Sequence, residues 1–300
     1  MKKIAILIPV FNRLENTKQC IAQLHKLVSL ASFRYSDFTI VLIDDGSSDG
    51  TSDWLAEHHP EVLVLQGDGN LWWSGGINMG ARYALDEMKA DYVLLWNNDI
   101  LAADDYFQEL DALVGQMDGP VILGSKIYFF GDPKRENLIW SYGGYFNPRN
   151  GKRGMYGYEA ADTEEYLKPK NVDWLPGMGT LVPIEVLRTV GLWDAKVFPQ
   201  YHGDSDYTLR AKKAGYTQTV YGQLRIFNDS NTTGLDHGGS FKGLWKACTD
   251  IRSNLNIRKA CKFYRRHARS PLAYQALLVS YAMETGSVIK YKLGLKKKEI

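Results

Sequence analysis

Short unbroken apolar runs recur through the first hundred residues, and each ends in a polar or glycine-containing loop. Ile4–Val10, Phe38–Ile43, Glu61–Gln66 and the Val93–Trp96 core of Asp91–Ile100 are too short for stable helices. They lack the alternation of a half-exposed strand, so they predict strands buried on both faces, the pattern of a parallel sheet. Between them, Asn16–Leu30 places Cys20, Ile21, Leu24, Leu27 and Val28 at helical spacing. Ser52–His58 and Ala81–Met88 predict two further helices, and Gly67–Gly80 predicts a glycine- and tryptophan-rich loop. Strand and helix alternate at short intervals, which implies a largely parallel α/β sheet with right-handed crossovers.

The second half is less regular. Val121–Phe130 predicts a strand, Trp140–Phe146 a strand or sheet edge, and Arg149–Lys170 a polar insertion suited to a lid. Leu181–Pro183 resumes a strand and Ile184–Val190 a short helix. Asp204 and Asp206 precede a helix carrying Leu209, Arg210, Lys212 and Lys213. Phe241–Tyr264 and Pro271–Tyr291 predict a basic helical extension. The chain therefore divides into residues 1–234, with a first half to residue 100, and an extension over 235–300.

Composition changes this picture in one respect. The formal net charge of +2 hides a polarity: from Lys242 onward there are fourteen Lys or Arg against three acids, while the preceding residues carry 22 basic and 31 acidic side chains. A basic amphipathic tail on an acidic body suits an anionic membrane surface. Packing of the tail on the body and a homodimer interface are the competing readings. Nucleic acid is disfavoured, because the basic residues share helices with Leu-rich faces and no nucleic-acid motif is present. Cys20, Cys248 and Cys261 form no ligand-spaced cluster, which points to a reducing, cytoplasmic setting. Neither a signal peptide nor an apolar run of membrane-spanning length is visible.

In open α/β sheets ligands sit beyond the carboxyl ends of the strands, so the loops there should converge on one crevice. Phe11 is suited to stack on a planar base, Arg13 to pair with a phosphate, and Asp45 to accept hydrogen bonds from a base or ribose. Asp99, at the exit of the Val93–Trp96 strand, suits a divalent cation and an anionic ligand. Taken singly, Asn97-Asn98-Asp99 reads equally as a turn and Asp45-Gly46-Ser47 as a helix cap.

Four segments in order resolve this. IPVFNR (Ile8–Arg13), IDDGSSDGT (Ile43–Thr51), GNLWWSGGINMG (Gly69–Gly80) and WNNDI (Trp96–Ile100) resemble the inverting, nucleotide-sugar-dependent glycosyltransferases of the GT-A fold, family 2, in its rhamnosyltransferase-like bacterial branch. No GxGxxG or GxxxxGK[ST] motif points to NAD enzymes or P-loop NTPases. The resemblance implies that Phe11 and Asp45 hold the nucleobase, and places Pro9, Arg13, Gly76, Asn78 and Asn98 on the donor side. It also implies that Asp99 binds Mn²⁺ or Mg²⁺ bridging the donor diphosphate. Asn-Asn-Asp stands where the family's DxD motif has two carboxylates.

On the acceptor side the resemblance covers Val172–Asp194 and Val197–Tyr216. It aligns Asp204 with the general base and Asp206 with a supporting acid. Trp174, Gly177, Gly179 and His202 fall on the acceptor. Gly203 stands where many members have Glu or Asp. Asn228 and Asp229 lie where many members carry a metal-binding His, and His237 follows nearby. The implied reaction moves rhamnose or a hexose from a dTDP- or UDP-sugar to a saccharide or lipid-linked acceptor, in cell-surface polysaccharide synthesis. A sugar nucleotidyltransferase, and a non-catalytic nucleotide-sugar-binding protein at the membrane, are the alternatives.

Overall fold

A computed structural model describes residues 1–29, 32–229, 239–293 and 295. His237, Lys296–Lys298 and the 234/235 boundary lie outside them. The elements in chain order begin with β1 (Lys2–Val10), α1 (Leu14–Leu24, running into a π-helical turn over His25–Ser29), β2 (Ser36–Asp44), α2 (Thr51–His58), β3 (Leu63–Gln66) and α3 (Trp72–Asp86). Then come β4 (Tyr92–Leu95), β5 (Ile100–Ala102), α4 (Tyr106–Gln116), β6 (Ile122–Phe130), β7 (Leu138–Ser141), β8 (Gly144–Phe146), β9 (Arg153–Met155), β10 (Ala160–Ala161) and β11 (Lys170–Asn171). The last are β12 (Thr180–Pro183), α5 (Ile184–Val190), α6 (Gly203–Lys213), β13 (Gln218–Asp229), α7 (Phe241–Thr249), α8 (Ile257–His267) and α9 (Ala273–Lys292).

The main sheet runs β10-β7-β6-β12-β4-β1-β2-β3. β4, β1, β2 and β3 are mutually parallel, whereas β12 enters antiparallel between β4 and β6. β13 lies parallel to β6 and carries β5 and β11 antiparallel beside it. The alternation of β1 shows why the apolar runs are unbroken. Ile4, Ile6 and Ile8 face a core that includes Cys20, Ile21 and Leu24 of α1 and Phe107 and Leu110 of α4. Ala5 and Leu7 face the opposite core with Ile77, Ala81 and Ala84 of α3. Both faces are dry, so neither carries polar residues.

α3 corrects the sequence reading. The Gly67–Gly80 stretch, expected as a loop, is helical from Trp72, nine residues before Ala81. Gly75, Gly76 and Gly80 weaken the helical signal, since each glycine costs about 1 kcal/mol in a helix. Two of them serve packing. Gly76 and Gly80, one turn apart, share a face. A Cβ on Gly76 would lie 2.9 Å from Pro9 Cβ, and one on Gly80 2.9 Å from Leu7 Cδ2 and Ile43 Cδ1. The start of α3 is held by a distant carboxylate: Asp45 accepts the backbone N–H of Gly69 (2.9 Å), Leu71 (2.9 Å) and Trp72 (3.0 Å).

Two further expectations change. The insertion over Arg149–Lys170 is tied down rather than free. Asp162 pairs with the buried Lys126 at 2.9 Å and accepts the Tyr128 hydroxyl, and Tyr142 donates to the Lys168 carbonyl at 2.6 Å. The basic stretch over Phe241–Tyr264 is two helices, capped by Ser240 on Gly243 N (3.0 Å) and by Asn256 on Lys259 N (3.1 Å). The extension shares a core with the body, where Phe263, Tyr264, Ala273 and Leu277 pack with Phe146, Trp174, Phe198 and Leu209.

Candidate active site

Three loops meet at the carboxyl edge of the parallel strands. After β1, Asn12 and Arg13 adopt left-handed backbone conformations (φ 57° and 61°). Asn12 tolerates this because its amide is engaged. Its Oδ1 accepts from Ser48 N (2.9 Å), its N–H donates to Ser47 Oγ (2.7 Å), and Leu14 N donates to Asp49 Oδ2 (2.8 Å). The loop after β1 is thus laced to the loop after β2. Phe11 stands at the rim 57% exposed, an aromatic face open to a ligand. Arg13 Nη1 lies 3.6 Å from Asp99 Oδ2, so a cation and a carboxylate face each other where β4 ends.

Not every candidate reaches the crevice. Asn78 is buried, donating Nδ2–H to the Trp193 carbonyl (2.8 Å) and accepting Trp193 N–H (2.9 Å). It is a packing residue, because its hydrogen-bonding groups are spent on backbone. Gly76 likewise faces Pro9. Asn98 donates to Thr17 Oγ1 at 3.0 Å, beside the crevice. Asp45 reaches the crevice chiefly as the cap of the loop that opens α3.

On the far side, Trp73 joins the halves. Its indole N–H donates to Asn97 Oδ1 (3.0 Å) on the β4 exit, and a Cβ on Gly177 would lie 2.2 Å from its Cζ2. Gly177 N in turn donates to Asp204 Oδ2 (3.1 Å), and Ser205 N to Asp204 Oδ1 (2.7 Å). Trp73 therefore brings the Asn97–Asp99 loop and the Asp204 helix to one place. Gly179, at φ +63°, is a joint in the sheet: its N–H donates to the Leu95 carbonyl (2.8 Å) and its carbonyl accepts Ser125 Oγ (2.6 Å).

The two acids of α6 differ. Burial pushes Asp204 above the usual carboxylate range, although the N–H groups of Ser205 and Gly177 and the charge of Arg153 oppose it. Such a carboxylate is a better proton acceptor than an exposed one. Asp206 is fully buried, and desolvation is outweighed by its partners, leaving it below the usual range. Arg210 Nε lies 3.0 Å, Arg266 Nη1 2.9 Å and His267 Nε2 2.9 Å from its oxygens. Asp206 thus binds the extension to the helix that carries Asp204.

His202 and Trp174, expected on the acceptor side, are engaged by other parts of the protein. His202 packs on Phe263 of α8 (5.4 Å between ring centroids), and its Nδ1 accepts Arg153 Nη1 at 3.2 Å. Burial and the Arg153 charge push it down to about 3, so the ring is neutral. Trp174 is buried, its indole donating to the Tyr145 carbonyl at 3.2 Å. Arg153, which sequence reading passed over, lies over Phe263 at 4.7 Å and acts electrostatically on Asp204. A lone arginine in a polar insertion gives no periodic signal. Gly203 has a steric reason: a Cβ would fall on Ser74 Oγ, which donates to the Phe198 carbonyl at 2.6 Å.

The Asp99 carboxylate and the neighbouring side-chain oxygens at the β4 exit would fit a hard divalent cation, since Mg²⁺-type sites need only one or two protein carboxylates. Asn228, expected near the metal, is buried and pairs in register with Ile100. An open cavity of about 590 Å³, lined by Tyr145, Arg149, Tyr156 and Asp173 among others, includes none of the crevice residues.

The model of the family described as glycosyl transferase family 2 matches residues 5–164, more than half of the chain. This chain belongs to glycosyl transferase family 2. The match spans the loops after β1, β2 and β4 and stops before α6. Among curated proteins, the chain is 26% identical over 218 residues to the low-salt glycan biosynthesis hexosyltransferase Agl10 of Haloferax volcanii, covering 71% of this chain and 64% of that one. It is 26% identical over 282 residues to the N-acetylglucosaminyl-diphospho-decaprenol L-rhamnosyltransferase of Mycobacterium tuberculosis, covering 80% and 90%. The fold resembles the crystal structure of GalNAc-T7 with UDP, GalNAc and Mn²⁺, with a TM-score of 0.58 at 11% identity over 95% of this chain and 57% of that chain. The chain thus spans under two thirds of the haloarchaeal relative and of GalNAc-T7. The expected GT-A architecture, a largely parallel N-terminal sheet flanked by helices and followed by C-terminal helices, is the architecture observed.

Proposed function

We propose that this family 2 protein is an inverting glycosyltransferase that moves rhamnose or a hexose from a dTDP- or UDP-sugar to a saccharide or lipid-linked acceptor in cell-surface polysaccharide synthesis. The observation that carries the reading is the Trp73 bridge, which sets Asp204 opposite the loop bearing Asp99. The two relatives, a hexosyltransferase and a rhamnosyltransferase named for a diphospho-decaprenol acceptor, support the substrate class.

The residues divide the work. Phe11 stacks on the base, and the laced loops after β1 and β2 hold the nucleoside. Arg13 meets the diphosphate as a planar cation. Asp99 and its neighbouring side-chain oxygens would hold Mn²⁺ or Mg²⁺, which when bound neutralises charge on the leaving diphosphate. Asp204 takes the proton of the acceptor hydroxyl while that oxygen attacks the anomeric carbon. One displacement suffices, so the anomeric configuration inverts. Asp206 acts as a positioning residue through α6.

Among the described residues no helix is long and apolar enough to cross a membrane. The extension still exposes Phe241, Trp245, Leu278, Val279 and Met283 beside Lys242, Lys246 and Lys290. We place the protein peripherally on the inner membrane face, with each basic residue near an anionic surface worth about 1 kcal/mol. The test screens nucleoside diphosphate release from dTDP- and UDP-sugars with an acceptor panel, with Mn²⁺, Mg²⁺ or EDTA. Release of one nucleotide, lost with EDTA, in Asp99→Ala and in Asp204→Asn, is expected. Failure of every donor to bind would overturn the reading.

A further inference from the structure

We propose that His25, His59 and Glu61 form a binding site for a borderline transition-metal cation, Zn²⁺ first, on the outer edge of the nucleotide-binding half. The site is separate from the oxygen donors at Asp99. His25 closes α1 at the start of its π-helical turn, and His59 is the C-terminal cap of α2. Both Nδ1 atoms lie 3.0 Å from the same oxygen, Glu61 Oε1. One donor atom from each residue falls within 4.8 Å of the others, and this is the cluster of that kind among the described residues.

The geometry suits a metal better than a proton. Zn–N and Zn–O bonds are about 2.0–2.2 Å. Ligand atoms at tetrahedral or right angles on one ion are therefore about 3.0–3.5 Å apart, the spacing of the two histidine–glutamate edges. A single proton-sharing carboxylate oxygen serves one imidazole well. Here His59 is aligned to it, while His25 Nδ1 is buried and makes no aligned hydrogen bond. A cation between the three would satisfy both rings and the carboxylate together.

Three features pre-form the site. Pro60 between His59 and Glu61 fixes the backbone of the ligand pair. Val62 N donates to the His59 carbonyl at 3.0 Å, closing that turn. The carbonyl end of α2 points toward the ligands and favours a cation. Two imidazoles and one carboxylate select zinc, nickel or copper over magnesium, which prefers oxygen alone. The charged and titratable neighbours are Lys18 over the Trp54 ring at 5.8 Å, and His58, stacked on Trp54 at 5.3 Å with Nδ1 3.0 Å from the Trp54 carbonyl.

The site links the far ends of two helices whose near ends frame the donor loops. α1 starts directly after Arg13, and α2 follows the Asp44–Gly50 loop. A cation there would clamp α1 to α2 behind the nucleotide without touching it.

The test titrates Zn²⁺ into tag-free full-length protein by calorimetry in EDTA-stripped buffer. One equivalent is expected to bind wild type and Asp99→Ala alike and to raise the thermal midpoint of both. His59→Ala and Glu61→Gln, confirmed folded by circular dichroism, should each weaken binding by at least about tenfold. Cu²⁺ should quench tryptophan fluorescence in wild type and lose most of that quenching in Trp54→Phe, because Trp54 lies 5.2 Å from the His59 ring. Absence of binding, or equal binding by His59→Ala and Glu61→Gln, would overturn the proposal. Loss of Zn²⁺ in Asp99→Ala would place the ion at the donor edge and overturn it too.

Discussion

Asp206→Asn is expected to loosen the extension from the body. The Asp206 carboxylate has no exposure, and it faces Arg210, Arg266 and His267 at 2.9–3.0 Å. Breaking a buried ionic cluster by removing one partner costs about 3–5 kcal/mol. Two observations lower that figure. Asparagine keeps one acceptor oxygen, and the cations keep other partners: Arg266 holds Asp194 Oδ2 at 2.6 Å, and Arg210 holds the Val190 and Leu192 carbonyls at 3.0 and 2.9 Å. Arg266 is also one third exposed, so water screens its share. The expected loss is therefore about 2–3 kcal/mol, read by urea unfolding. A double-mutant cycle with Arg266→Ala should show a coupling of at least about 0.5 kcal/mol. The pH dependence has a definite sign. Asp206 is held below its ordinary value, so its contribution is present above about pH 4 and is lost as pH falls through the lowered folded value. A coupling indistinguishable from zero, with no change in the urea midpoint of Asp206→Asn, would refute the hub.

Other outcomes follow from the same geometry. Because burial raises Asp204, turnover should fall on acidification at a higher pH than an exposed aspartate would give, and Asp204→Asn should lower kcat by about 10²–10⁴. Arg153→Gln removes a charge that opposes that rise, so the acid limb of kcat should move further up in pH; an unmoved limb would remove Arg153 from the site. Gly203→Glu should cost about 1–3 kcal/mol by overpacking against Ser74, measured as a lower thermal midpoint, and Ser74→Gly should recover part of it.

What could be read from the chain followed the local signals. Strands buried on both faces announce themselves as unbroken apolar runs, and α5 over Ile184–Val190 emerged at its observed limits. α3 was hidden because its glycines serve Pro9, Leu7 and Ile43, partners far away in sequence. The same holds for single residues. Phe11, Arg13, Asp99 and Asp204 sit in motifs whose order is informative. Asn78 meets Trp193 across 115 positions, and no local pattern encodes that pairing. His202 lies next to an acidic motif, and only the packing of Phe263 turns it inward. Arg153 has no neighbours in sequence that share its task.

The tie between Asp206 and α8 also has a consequence in time. Asp206 is made 60 residues before Arg266 and 61 before His267. At about 5–20 residues per second, a ribosome leaves Asp206 without those partners for roughly 3–12 s. During that interval the parallel half of the sheet can already close, while the helix bearing Asp204 still lacks part of its anchor. On the proposed assignment, a nascent chain would complete its donor-side loops before the helix of the proposed base is anchored, and a chain ending before Arg266 is expected to bind donor with little transfer.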